Sequence, residues 1–237
     1  MHRAMSPSPK LLQQLDEGVL TLTLNRPDKL NAIDNELAGA LLQALEKAAE
    51  DPSVRSIRLR GEGRAFCAGR DVSAPPTEQD LVLVQAVARA IVYSPRPVVA
   101  EVHGWTVGAG LEWMLDADVV VAAEDTRFKL PEASLGVFVT GGLTATLPAL
   151  AGLARAKALM LLGDEFNAMQ AQAWGLIWQV APAPALPALG SQIARRLAHL
   201  KPEVLVGFKR VLNQIGLPDF DRAVTEESRT QRLLQGD

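Results

Sequence analysis

Two short, nearly continuous runs of β-branched and small apolar residues, "RPVVAEVHG" (96–104) and "DVVVAAE" (118–124), constrain the fold more than any other feature of this chain. Strands that are apolar on both faces belong in a buried sheet, and buried sheets are mostly parallel, with helices supplying the cover. The preceding sequence provides the partners. "VLTLTLNRP" alternates apolar and polar residues from Val19 to Leu24 and reads as a strand, and "VRSIRLRGEG" is another that runs into glycines. Between them, "AIDNELAGALLQALEKAAED" sets Leu37, Leu41, Leu42 and Leu45 at helical spacing, with Asp34 or Asn35 as cap and Asp51-Pro52 as stop. A second helix is expected over "TEQDLVLVQAVARAIVYSP", after the proline-marked loop "RAFCAGRDVSAPP". Repeated alternation of strand and helix predicts an α/β fold.

From Gly141 onward the character changes to Ala/Leu-rich helical segments, broken around "VAPAPALPALG" and ending in a helical pair over residues 202–215 and 218–234. The expected layout is a disordered lead over 1–10, an α/β core over 11–185 and a helical appendage over 186–237. A chain of 237 residues with 48% hydrophobic content has enough apolar material for such a core.

Several functional classes find no support. A net charge of −3 and no long Lys/Arg run argue against nucleic acid and against a polybasic membrane patch. No segment reaches about 18 uninterrupted apolar residues and the first ten residues hold no apolar signal region, so neither membrane spanning nor secretion is expected. The lone cysteine, Cys67, permits no internal disulfide framework, and His2, His103 and His199 lack zinc-site spacing, so no metal is expected and a reducing cytoplasm fits best. "GEGRAFCAG" has Phe66 where a dinucleotide fingerprint needs its third glycine, and the chain carries neither a phosphate loop nor a G-x-S-x-G elbow. A Cys67–His103 nucleophilic dyad is possible on residue type, yet a lone Cys between Phe and Ala is far more often a small buried hydrophobe.

One residue resists the bland reading. Glu112 stands in the apolar, glycine-rich run "EVHGWTVGAGLEWMLDAD", and an isolated buried carboxylate must be paired, hydrogen-bonded or protonated. Upstream of it lie two glycine-flanked turns, "CAGRD" and "GWTVGAGLE", each ending a strand in small residues that allow close approach of a ligand to the backbone. The second leads into the helix "AGLEWMLDA", whose N-terminal N–H groups suit an anion or oxyanion.

Taken in order, "LNRPDKLNAI", "GEGRAFCAGRD", "EVHGWTVGAGLEWMLDADVVVA" and "FKLPEASLG" resemble the crotonase (enoyl-CoA hydratase/isomerase) superfamily over roughly residues 15 to 235. The resemblance implies a crotonase-like ββα spiral core with a C-terminal helical appendage that packs between subunits, hence a homotrimer or a dimer of trimers. It implies an acyl-CoA thioester as substrate, no separate cofactor, and an oxyanion hole from the backbone N–H groups of Arg70 and Ala109. Glu112 and Glu132 would be the catalytic carboxylates, holding a water for addition across a 2,3-enoyl thioester, and two carboxyls sharing a water should titrate as a pair with separated apparent pKa values. Lys29, Leu30 and Ala32 would lie along the nucleotide end of CoA, and Ala68, Asp71 and Val72 along the pantetheine. Asp71 is also read as a capping residue for whatever follows the first turn.

Three departures from the family pattern carry expectations. "VFVTGG" (137–142) stands where relatives have a longer, proline-containing glycine turn that shapes the acyl pocket. Arg70 brings a long cation where many relatives carry a small residue, which narrows the pocket mouth. "LLQGD" is not followed by the basic, aromatic tail that many relatives fold over the nucleotide. Hydration is the leading expectation; Δ3-Δ2-enoyl-CoA isomerisation by Glu132 alone and a non-catalytic CoA- or RNA-binding scaffold are the alternatives.

Overall fold

The structure is a computed structural model that describes residues 8–73, 75 and 77–236. Residues 1–7 of the expected lead lie outside the described residues; Lys10, at its end, pairs with Asp34 at 2.7 Å and Glu36 at 2.6 Å. The chain opens with an antiparallel pair, β1 (Leu11–Asp16) and β2 (Val19–Leu24), and continues through α1 (Asn35–Glu50) to β3 (Ser56–Gly61) and β4 (Ala65–Cys67). Next come α2 (Glu78–Val92), β5 (Val98–Val102), β6 (Trp105–Val107), α3 (Ala109–Leu115), β7 (Val119–Ala123), β8 (Arg127–Lys129) and α4 (Glu132–Leu135). The remainder is α5 (Leu143–Ala151), α6 (Leu153–Leu162), β9 (Phe166–Asn167), α7 (Ala168–Ala173), β10 (Gln179–Ala181), α8 (Leu186–Ala198), α9 (Pro202–Gly216) and α10 (Phe220–Gln235).

The strands form two sheets. One runs β1-β2-β3-β5-β7-β10, parallel from β2 onward, and the other runs β4-β6-β8-β9. Each of the pairs β3–β4, β5–β6 and β7–β8 sends its first strand into the large sheet and its second into the small one before a helix returns the chain. That repeated ββα turn is the spiral implied by the resemblance. The sequence reading missed β10 and the whole small sheet, because strands of two or three residues are too short to show a period, and it missed β1, whose "LLQQLD" does not alternate and is exposed after Leu11.

Period-two alternation explains the continuous apolar strands. Val98, Ala100 and Val102 of β5, with Val120 and Ala122 of β7, face the main core beneath α1 and α2. Val99, Val121 and Ala123 point the other way, onto Leu186, Ala194 and Ala198 of α8. Both faces are therefore covered, as parallel strands require. Helix starts follow capping chemistry: Asp34 accepts from the Leu37 N–H at 2.9 Å, and Thr77 and Asp80 form a reciprocal capping box on α2. Trp113, fully buried on α3, donates to the Val84 carbonyl at 3.2 Å and ties α3 to α2. Among the described residues no helix is long and apolar enough to cross a membrane.

Candidate active site

The two glycine turns anticipated from the sequence face one another. Gly69 has φ +86°, and a Cβ there would come within 2.8 Å of the Val107 carbonyl oxygen and 3.7 Å of the Ala109 nitrogen. The first turn is fixed from behind by the 30–33 segment: Ala68 N–H donates to Leu30, Ile33 N–H to Gly69 and Asp71 N–H to Ile33, at 2.9, 2.8 and 2.8 Å. The second turn pivots on Gly108, φ +51°, where a Cβ would meet Glu132 Oε1 at 2.6 Å. Only glycine combines that backbone with that clearance. Ala109 follows as the first residue of α3, where no helical carbonyl lies upstream to accept its N–H.

Between the turns opens a cavity of about 500 Å³, within the range of small-molecule sites. Ala68, Arg70, Val72, Ala109, Glu112 and Glu132 all line it, so six of the ten site residues expected from the sequence meet there. Lys29, Leu30, Ala32 and Asp71 do not line it. Lys29 is exposed, while Leu30 and Ala32 belong to the segment that backs the first turn. Asp71 accepts from the Ser73 N–H at 3.1 Å and from Arg26 at 2.9 Å, contacts with Ser73 and Arg26 that hold its carboxyl down at about 2. It shapes the local turn, whereas α2 is capped by Thr77. The Arg70 guanidinium lies 3.6 Å from Asp80, another cavity residue, and so reaches from the first turn to the start of α2.

Glu112 is 2% exposed. Its Oε2 accepts the Thr140 N–H at 3.1 Å and also the Gly141 N–H, while Glu227 and Glu132 lie near enough to repel its charge. Burial first, then these two carboxylates, drive its pKa well above the ordinary value. Glu132 follows Pro131 at the start of α4; its Oε2 is buried without a hydrogen-bond partner, and burial pushes the group up to about 7. Two carboxyls thus open on one cavity, both displaced toward neutrality, beside two strand-end turns. Such an arrangement can hold and transfer protons near pH 7.

Glu227, on α10, escaped the sequence reading. It is 1% exposed and lies beside Glu112. Its signal was present: Glu227 shares a helical face with Phe220, Val224, Ser228 and Gln231, all buried. The Thr140 and Gly141 donors could not be read at all, since backbone N–H groups leave no mark on residue type. Cys67 is buried, donates its thiol to the Asn31 carbonyl at 3.2 Å, and is raised to about 12 by burial, which suits a structural thiol and not a nucleophile.

A sequence model described as enoyl-CoA hydratase/isomerase matches residues 14–232, nearly the whole chain. The chain belongs to the enoyl-CoA hydratase/isomerase family, within the crotonase superfamily. It is 36% identical to a 1,2-epoxyphenylacetyl-CoA isomerase of Escherichia coli (strain K12), over 94% of this chain and 89% of that protein. It is also 36% identical to a 2,3-dehydroadipyl-CoA hydratase of the same organism, over 95% and 90%. A solved enoyl-CoA hydratase from Mycobacterium avium subsp. paratuberculosis K-10 superposes with a TM-score of 0.91 at 32% identity, covering 98% of this chain and 92% of that one. Family membership makes the protein an enzyme of the lyase or isomerase type, and its relatives include both.

Proposed function

We propose that the protein is a 2-enoyl-CoA hydratase that adds water across the 2,3 double bond of an acyl-CoA thioester. The observation that carries this reading is the convergence of Glu112 and Glu132 on one cavity, next to the turns that present the Arg70 and Ala109 N–H groups. Attack at C3 pushes negative charge onto the thioester oxygen. Two preorganised backbone donors stabilise that charge, each worth about 3 to 4 kcal/mol where such donors have been removed. The two carboxyls divide the proton work: one ionised, taking a proton from water, and one protonated, delivering a proton to C2. Glu112 is the more enclosed, and burial together with the neighbouring carboxylates favours its protonated form; Glu132, at about 7, is partly ionised at neutral pH. Because they share one water, their titration belongs to the pair.

Ala68 and Val72, in the cavity wall, are read as the pantetheine contacts. Lys29, Leu30 and Ala32 lie outside the cavity, where only the nucleotide end of CoA could meet them. The mechanism calls on no metal or redox group, since the carbonyl is polarised by backbone N–H donors. We also read residues 186–237 as the assembly region of a homotrimer or dimer of trimers. The support is α9, which has no buried residue and exposes Phe208 at 65%, Leu212 at 66% and Ile215 at 77%. The reduced, buried Cys67 fits a reducing compartment such as the cytoplasm.

Isomerisation of a 3-enoyl-CoA is the second reading. It is favoured by Glu132 taken alone, a carboxyl whose buried Oε2 has no hydrogen-bond partner and which burial raises to about 7, able to carry a proton between C4 and C2. A spectrophotometric screen separates the two. A hydratase removes the conjugated-thioester absorbance of 2-enoyl-CoAs, and an isomerase creates it from 3-enoyl-CoAs. No change with short, medium or aromatic acyl chains of either kind would overturn both readings and leave a non-catalytic binding scaffold.

A further inference from the structure

Val137, Phe138 and Thr140 line the cavity, and where the chain leaves it two glutamates from different helices take the N–H groups of Thr140, Gly141, Gly142 and Thr144. Glu112 of α3 takes those of Thr140 and Gly141. Glu227 of α10 takes the next ones: Gly142 N–H to Oε2 at 2.7 Å, Thr144 N–H to Oε1 at 2.7 Å, and the Thr144 hydroxyl to the same Oε1 at 2.6 Å. All three of these contacts to Glu227 come from donors, which is the pattern an acceptor-only carboxylate satisfies. Backbone donors held by a buried carboxylate cannot turn away without leaving that charge unpaired, a strong restraint in a low-dielectric interior.

We propose that Glu227 is a positioning residue for Glu112: by clamping Gly142 and Thr144 it holds the adjacent Thr140 and Gly141 N–H groups in place to orient the Glu112 carboxyl. Glu227 does not line the cavity and does not touch substrate in this scheme. Its helix is well anchored for the task. Gln231, one turn on, accepts the Phe138 N–H at 2.6 Å, and Arg89 of α2 pairs with Asp221 at 2.9 Å. The C-terminal helix therefore acts on the catalytic carboxyl through the backbone of the intervening turn. With Gln at 227, an amide NH₂ must replace one of the two oxygens, so one side of the clamp faces donor against donor.

The inference rests on the hydratase reading for its kinetic part only, and its test has an arm that needs no substrate. In Glu227→Gln, amide hydrogen exchange at Thr140 and Gly141 should accelerate while amides in the middle of α10 and in β5 keep their protection. With an accepted 2-enoyl-CoA, kcat should fall by about 10²-fold, the scale of an ångström-level misplacement, while KM changes less than about 3-fold. In a Glu112→Gln background the same change should cost almost nothing further, because the carboxyl it orients is already gone. Should Glu227→Gln fail to fold, Thr144→Val removes one donor of the clamp and should accelerate exchange at the same two amides. Unchanged exchange at Thr140 and Gly141, a uniform rise across the molecule with kcat intact, or full additivity with Glu112→Gln would each overturn the proposal. A wild-type protein that hydrates no enoyl thioester would sink the hydratase reading and leave the exchange result to judge the clamp.

Discussion

Glu101 and Glu112 come from the same stretch of chain and are almost equally buried, at 1% and 2% exposure, yet their surroundings are opposite. Glu101 points from β5 toward α8 and is met by cations: Arg58 hydrogen-bonds it through Nε at 2.7 Å and through Nη2, and Arg60 Nε lies 3.4 Å away. Among the described residues Glu112 has no cation paired with it. Its neighbours are backbone N–H groups and the carboxylates Glu132 and Glu227. A carboxylate that serves the fold is neutralised by its setting, whereas one that must exchange a proton is left in a setting that makes both protonation states accessible. Burial alone does not separate the two roles; the sign of the neighbours does.

The largest expected effect tests the functional half of this contrast. Glu112→Gln and Glu132→Gln should each lower hydration by about 10² to 10⁴, the usual range for general acid–base groups, and the double variant should lose little more than either single one. Both proteins should fold, since Gln preserves shape. Gly108→Ala should be comparably damaging with both glutamates still in place, because φ +51° strains an alanine and its Cβ would press on Glu132 Oε1 at 2.6 Å and push that carboxyl aside. Steady-state kinetics on one accepted substrate ranks all three. Near-wild-type turnover in the two Gln variants would place Glu112 and Glu132 in the same structural class as Glu101.

The structural half is tested at Glu101 itself. Glu101→Gln leaves the Arg58 guanidinium, 12% exposed, without its counter-charge, and breaking a buried pair costs about 3 to 5 kcal/mol. Urea denaturation should show that loss, while kcat of the folded protein stays within about 2-fold, since Glu101 does not line the cavity. A large kcat loss with stability intact would erase the distinction between the two residues.

How much of this was legible before the structure follows from what leaves a trace in residue types. The strands around Val99 and Val121 were readable as near-continuous apolar runs, the helix after Asp34 from periodicity and capping, the helix after Thr77 from its place behind a proline-marked loop, and Glu112 as an anomaly in an apolar run. The roles assigned to Arg70, Ala109 and Glu132 came from the ordered family motifs. The small sheet was not readable, because β4, β6 and β8 have three residues each and β9 two. Nor was the way the 30–33 segment bonds behind the first turn, with Lys29, Leu30, Ala32 and Asp71 outside the cavity lining. Glu227 lay in plain view on the apolar face of a helix, but its meaning depends on a turn that only folding brings beside it.

The smallest effect is a pH dependence of stability, and its sign sharpens the comparison: a carboxylate that burial pushes up weakens the fold as pH rises, the opposite of one such as Asp71 that its partners hold down. Glu132 titrates at about 7 in the folded protein against an ordinary value of 4.5, so the folded state holds the proton more tightly than the unfolded chain does. Its contribution is therefore fully favourable below about 4.5 and is lost as pH rises through about 7. At 1.36 kcal/mol per pKa unit the whole span amounts to roughly 3 kcal/mol at most. Glu132→Gln removes the titrating group and should flatten this part of the curve, leaving the variant more stable than wild type at pH 8 and nearly equal to it at pH 4. A residual slope of the same sign should persist, since burial also raises Glu112 and Glu227. Urea midpoints across that pH range, with an unchanged m-value, measure the difference directly. If Glu132→Gln were instead less stable than wild type at pH 8, the carboxylate would be contributing to the fold as an ion, and Glu132 would belong with Glu101.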